Sequence, residues 1–123
     1  MEPEEIFSIR GRIKSFSYAI AGLRQFIIRE HNARLHVVAT VGVVIAGFVF
    51  RVSYGEAAIL TVVTALVWIT EIFNTCIERL ADMITRERHP SIKIIKDLSA
   101  GAVLTAAIMA VVAALFIFIP KII

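Results

Sequence analysis

Glu71, Asn74 and Glu78 stand at i, i+3 and i+7 near the end of an apolar run that begins at Ala57. On a helix that spacing puts all three side chains on one face. A carboxylate inside an apolar helix is costly, so it faces a partner helix or a water-filled site rather than lipid. The stripe therefore predicts a polar site built against other helices. Glu71 is set about 10 Å deeper than Glu78 at a rise of ~1.5 Å per residue. A carboxylate there suits a general base, a proton relay or an interhelical hydrogen bond. Asn74 suits either support of such a site or plain adhesion between helices.

Other charged groups fall where they could join this chemistry. Glu30 precedes the first apolar run, and Glu78 closes the second. Each offers hard oxygen ligands, and Mg²⁺ is commonly held by one or two carboxylates together with substrate phosphates. Ion pairs with Arg24, Arg34 or Arg79 are the commoner reading of the same positions. Lys96-Asp97, with Arg88 and His89 upstream, could grip phosphates, since Lys supplies a point charge and Arg a fork. The alternative is the ordinary basic flank of a membrane helix. His31 and His36 read as ligands, or as groups that cap a helix and line the headgroup zone. Gly42 and Gly47 have the spacing of a phosphate loop, but no Lys and Ser/Thr follow, so that reading fails.

The elements that must position these residues are apolar helices. The chain has 123 residues, 59% of them hydrophobic, and a mean hydropathy of +0.84. That is too apolar for an ordinary soluble domain and leaves room for about three spans of roughly 20 residues. Three helices enclose little by themselves, so sites near subunit contacts are expected. Six Lys/Arg fall in residues 1–36 and five in 79–97, whereas the first two apolar runs are joined through Arg51 alone. Basic residues collect in cytoplasmic loops, which puts both clusters and the N-terminus on the cytoplasmic side. Positive charge that flanks spans without interleaved aromatic residues argues against nucleic-acid binding. The single cysteine, Cys76, excludes an internal disulfide and reads as a small packing residue. No secretory signal peptide is expected.

An acidic start, residues 1–5, precedes a stretch in which Ile9, Ile13, Phe16, Ile20, Leu23 and Ile27 recur every three or four positions. That period predicts an amphipathic helix over 6–29, with Arg10, Lys14 and Arg24 on its wet side, lying in the membrane interface in preference to packing on its own protein. Spans are expected over 34–50, 57–78 and 97–119. Ser53 and Gly55 mark an outer hairpin over 51–56. His89-Pro90 marks a cytoplasmic loop, because proline disfavours helix at the residue before it. Pro120-Lys121 closes the third span. The fold expected is an all-α membrane protein, three transmembrane helices plus a surface helix, in one domain over 1–123.

The pattern Glu71-x-x-Asn74-x-x-x-Glu78-x-x-x-Asp82, followed by Lys96-Asp97-x-x-x-Gly101-Ala102-Val103-Leu104, resembles the prokaryotic diacylglycerol kinase and undecaprenol kinase family. The likeness runs from about Lys14 to Lys121 and includes Glu30. It implies a small integral-membrane lipid kinase of the bacterial cytoplasmic membrane, usually a homotrimer, that phosphorylates a lipid hydroxyl with MgATP. By position, the resemblance makes Glu71 the base on the lipid hydroxyl, supported by Asn74. It makes Glu30 and Glu78 the ligands of the metal at the ATP phosphates. Glu87, Arg88 and His89 match a nucleotide-binding loop, Lys96 and Asp97 a pair at the phosphates, Tyr18 a residue beside the nucleotide, and Arg12 an N-terminal arginine of the same site. His89-Pro90, Glu30-x-Asn32-x-x-x-His36 and Phe118-Ile119-Pro120-Lys121 are closer to the undecaprenol branch. Arg88 stands where relatives have an aromatic residue or His. The competing class is a non-enzymatic membrane protein, such as a proton-coupled transporter with Glu71 as its relay.

Overall fold

The computed structural model describes residues 6–123, so the acidic start at 1–5 lies outside it. Four helices make up the described residues: α1 (Ile9–Arg29), α2 (His31–Val49), α3 (Tyr54–Ile84) and α4 (Pro90–Ile122). The last three are long and apolar enough to cross a membrane. The chain divides into two compact units, one ending at Arg34 and one beginning at Leu35.

In the first unit, Ser8 rather than the apolar period sets where α1 begins. Its backbone is extended and its hydroxyl accepts from the Gly11 N–H at 3.0 Å, so Ile6 and Phe7 stay outside the helix expected to begin there. Glu30 is the single non-helical residue between α1 and α2; its N–H still donates to the Phe26 carbonyl. The Arg34 guanidinium donates back to the Ile28 carbonyl across this break. The apolar stripe of α1, Ile9, Ile13, Phe16 and Ile20, is exposed.

The second unit is a three-helix arrangement organised by α3. The expected outer hairpin at 51–56 is shorter than its turn residues suggest, because Ser53 and Glu56 form a capping box. Glu56 N–H donates to Ser53 Oγ at 3.1 Å, and Ser53 N–H donates to Glu56 Oε1 at 2.9 Å, so α3 is under way at Tyr54. The turn before it is closed by Val52 N–H donating to the Gly47 carbonyl, with Arg51 at φ 52°. At the other end of α3 the loop is confined to 85–89. His89 caps α4 through Nδ1, which accepts from Ser91 N–H at 3.2 Å, and Pro90 takes the first helical position, where a missing N–H costs nothing. The helix thus starts well ahead of the apolar run at 97–119. It also runs past Pro120, which sits in the last turn rather than closing the helix.

α3 and α4 pack closely and antiparallel, tied near one end by Asn74–Ser99 and Asp82–Lys96 and at the other by Glu56–Lys121, at 3.1 Å. α2 runs antiparallel to α3 and is linked to it by side chains, His36 to Glu71 and Thr40 to Trp68. Its far end meets α4 through an edge-on contact of Phe50 with Phe118, 5.7 Å between centroids. The usual partition is inverted: Glu71, Asn74, Thr75 and Ser99 are buried, while Phe73 and Phe116 are exposed and Phe48 is 82% exposed. Water would not tolerate such a surface. Lipid does, since apolar side chains gain little by leaving hydrocarbon and small or polar contacts hold the helices together.

Candidate active site

The polar end of the second unit is built from three helix segments. The start of α2 contributes His36. The C-terminal half of α3 contributes Glu71, Asn74, Thr75, Glu78 and Asp82. The start of α4 contributes Lys96 and Ser99. Antiparallel packing brings these stretches to one end, although 63 positions separate His36 from Ser99 in sequence (99 − 36).

Glu71 is 5% exposed. Its Oε2 lies 3.4 Å from His36 Nε2, and His36 is itself half-buried. Its position is fixed by neighbours: Thr40 Oγ1 donates to the His36 carbonyl at 2.6 Å, Trp68 Nε1–H donates to Thr40 Oγ1 at 2.8 Å, and the His36 and Trp68 rings are 6.3 Å apart. One turn further along α3, Asn74 is 7% exposed and uses both ends of its amide. Its Oδ1 accepts from Ser99 Oγ at 2.7 Å, and its Nδ2 donates to Glu78 Oε1 at 3.5 Å. The face predicted from the i, i+3, i+7 spacing therefore runs from a buried carboxylate, through a fixed amide, to an exposed carboxylate.

Lys96 and Asp97 are adjacent in sequence but about 100° apart around α4, and they take different partners. Lys96 Nζ donates to Asp82 Oδ1 at 2.7 Å, while Asp97 Oδ2 accepts from Lys93 at 2.6 Å. The α3 helix has 31 residues, some 46 Å at ~1.5 Å each, which exceeds a hydrocarbon core of about 30 Å. Asp82 stands in its last turn, past the span expected at 57–78. The hydrogen bond from Lys96 holds the Asp82 carboxyl below the usual carboxylate range against an opposing effect of desolvation, with the charges of Lys96 and Arg86 adding to the lowering.

Glu87, Arg88 and His89 lie in the exposed connection between α3 and α4, where Glu87 N–H donates to Thr85 Oγ1 and His89 serves as the cap of α4. Glu30, Arg12 and Tyr18 belong to the first unit: Glu30 ends α1 half-buried, the Arg12 guanidinium sits 5.1 Å from the Phe7 ring centroid, and Tyr18 is exposed. Cys76 is exposed, not packed as its size suggested. Sequence reasoning missed the two partners that fix the site, His36 for Glu71 and Ser99 for Asn74. Ser99 had a legible signal, a hydroxyl near the start of a strongly apolar run.

A cavity of about 660 Å³ lies between α2 and α3, lined mainly by apolar side chains such as Val43, Phe48 and Leu60. Among the described residues no carboxylate lines it, but Thr40 and Trp68 at one end of it join it to the Glu71–His36 pair. Among the described residues no three His, Cys, Asp or Glu side chains gather tightly enough to cage a metal ion. Carboxylate oxygens offered singly, as by exposed Glu78, fit Mg²⁺ held jointly with phosphates rather than a caged ion.

The fold is that of an all-helical membrane protein that carries a buried carboxylate, a hydrogen-bonded amide and an exposed carboxylate on one helix face. The profile of the prokaryotic diacylglycerol kinase family matches residues 17–118, and the chain belongs to that family of lipid kinases. It is 36% identical to the undecaprenol kinase of Bacillus subtilis over 88% of each chain. It is 37% identical to a diacylglycerol kinase of Synechocystis over 80% of this chain and 57% of that one. It is 35% identical to the diacylglycerol kinase of Escherichia coli over 81% of this chain and 82% of that one. Membership in a kinase family sets aside the transporter alternative.

Proposed function

We propose that the protein transfers the γ-phosphoryl group of ATP to the hydroxyl of a membrane lipid at the cytoplasmic surface, with undecaprenol the favoured acceptor and diacylglycerol the next. The observation that carries the reading is Glu71, a buried carboxylate on the same face of α3 as Asn74 and Glu78, in a chain of the lipid kinase family. The preference for undecaprenol is supported by the similarity to the Bacillus subtilis enzyme over nearly the full length of both chains.

Phosphoryl transfer asks a protein mainly for positioning and charge neutralisation. Glu71 accepts the proton of the lipid hydroxyl while the tail stays in the bilayer. Asn74 holds the line between Glu71 and Glu78. Glu30 and Glu78 would hold Mg²⁺, which when bound neutralises charge on the ATP phosphates. Lys96 exchanges Asp82 for a phosphate oxygen, and Asp97 orders the same turn of α4. Glu87, Arg88 and His89 form the loop that meets the nucleotide, with Arg12 and Tyr18 from α1. The exposed apolar stripe of α1 suits a helix lying in the cytoplasmic interface, with the N-terminus on that side. The functional unit is a homotrimer, which covers part of the exposed helix surface.

The test is transfer of label from γ-labelled ATP to lipid by the purified protein in mixed micelles, with undecaprenol and diacylglycerol assayed side by side. Mg²⁺-dependent labelling of undecaprenol in excess of diacylglycerol is expected. No labelled lipid from either acceptor would overturn the kinase assignment, and preference for diacylglycerol would overturn the acceptor.

A further inference from the structure

We infer that His36 is a positioning residue for the transfer step: its Nε2–H holds Glu71 Oε2, so that Oε1 faces the lipid hydroxyl. This rests on the assignment of Glu71 as the base. Among the described residues His36 is the side chain that meets the Glu71 carboxylate, at 3.4 Å, and it reaches it from a different helix. A carboxylate in apolar surroundings with both oxygens free could rotate about its last torsion, which has broad, two-fold preferences. With one oxygen engaged, a single oxygen is left to accept a hydrogen, and its direction is fixed.

The chain holds His36 in place as well. Thr40, one turn along α2, donates to its carbonyl, and Trp68 of α3 donates to Thr40. Trp68 lies one turn before Glu71 on α3, so α2 and α3 are tied twice at adjacent levels, and the second tie sets the register of the first. During transfer the lipid oxygen forms a bond to the γ-phosphorus and the bond from that phosphorus to the ADP oxygen breaks with its electron pair leaving on ADP. The hydroxyl proton passes to Glu71 Oε1, while His36 keeps its own proton and its contact with Oε2.

The experiment compares His36→Leu and His36→Gln with the wild type and with Glu71→Gln, in the labelled-ATP assay, with kcat and KM for ATP measured separately and MgATP binding checked directly. Gln places an amide N–H donor close to where His36 Nε2 sits, whereas Leu has none. His36→Leu is expected to lose about 10- to 100-fold in kcat, the worth of a hydrogen bond to a charged group, with KM for ATP within about twofold. His36→Gln is expected to recover to within about fivefold of wild type. Wild-type kcat in His36→Leu overturns the inference, as does a His36→Gln enzyme as slow as His36→Leu with MgATP binding intact. If His36→Leu does not fold, a loss beyond tenfold in folded His36→Gln overturns it. A Glu71→Gln enzyme that turns over normally sinks the base assignment itself, whereas a dead Glu71→Gln beside a normal His36→Leu sinks the role of His36 alone.

Discussion

Ser99→Ala removes one hydroxyl from the most buried polar contact between α3 and α4. Ser99 Oγ donates to Asn74 Oδ1 at 2.7 Å, and both residues are less than a tenth exposed. Helix propensity does not oppose the change, since Ala is the better helix former. What remains is an amide oxygen without a donor, which costs about 1–3 kcal/mol in a buried setting. In a bilayer or micelle the unfolded reference keeps its helices and finds other partners, and measured couplings average about 0.6 kcal/mol with a maximum near ~1.7. The expected loss is therefore about 1 kcal/mol, roughly a fivefold shift in the unfolding equilibrium. Reversible unfolding of the purified protein by a denaturing detergent, followed by far-ultraviolet circular dichroism, measures it. A double-mutant cycle with Asn74→Ala isolates the pair. Because the freed Asn74 also loosens its hold on Glu78 Oε1, kcat is expected to fall by a few fold. A Ser99→Ala protein as stable as wild type, or strict additivity in the cycle, would refute the claim that this hydrogen bond fixes Asn74.

Glu71→Gln keeps size and polarity but removes the proton acceptor, so kcat should fall by about 10²- to 10⁴-fold while MgATP binding persists; comparable turnover would reject the base. Glu78→Gln should raise the Mg²⁺ concentration needed for half-maximal nucleotide binding, and an unchanged Mg²⁺ titration would count against Glu78 as a ligand. Asp82 is held below its ordinary range by Lys96, so the pair's contribution is complete at neutral pH and fades as pH falls through that depressed value. Asp82→Asn is therefore expected to lower the melting temperature slightly at pH 7 and not at all once acid has protonated the wild-type carboxyl; a difference that grows with acid would contradict the sign. The contact is exposed, so the effect at pH 7 is small and shrinks with added salt.

Much of the site was legible because its spacing is local. Glu71, Asn74 and Glu78 share one helix, and the helical period alone puts them on one face. The helices extend past the apolar runs at both loops. Ser53 with Glu56, and His89 with Pro90, start helices among polar residues, since a cap satisfies the free N–H groups of a first turn whatever the hydropathy. The separate partners of Lys96 and Asp97, Asp82 and Lys93, were not legible, because adjacent residues on a helix point apart and one of the two partners comes from another helix.

By itself the sequence determined that this chain is a bundle of apolar helices carrying carboxylates that lipid would not accept, because hydropathy and helical period are properties of short stretches. Tertiary structure alone decided which polar group each one meets: Ser99 for Asn74, and His36 for Glu71 across 35 intervening steps of chain. Those pairings depend on the register and rotation at which α2 and α4 seat against α3, and no local pattern encodes a distance between segments that touch only after they pack.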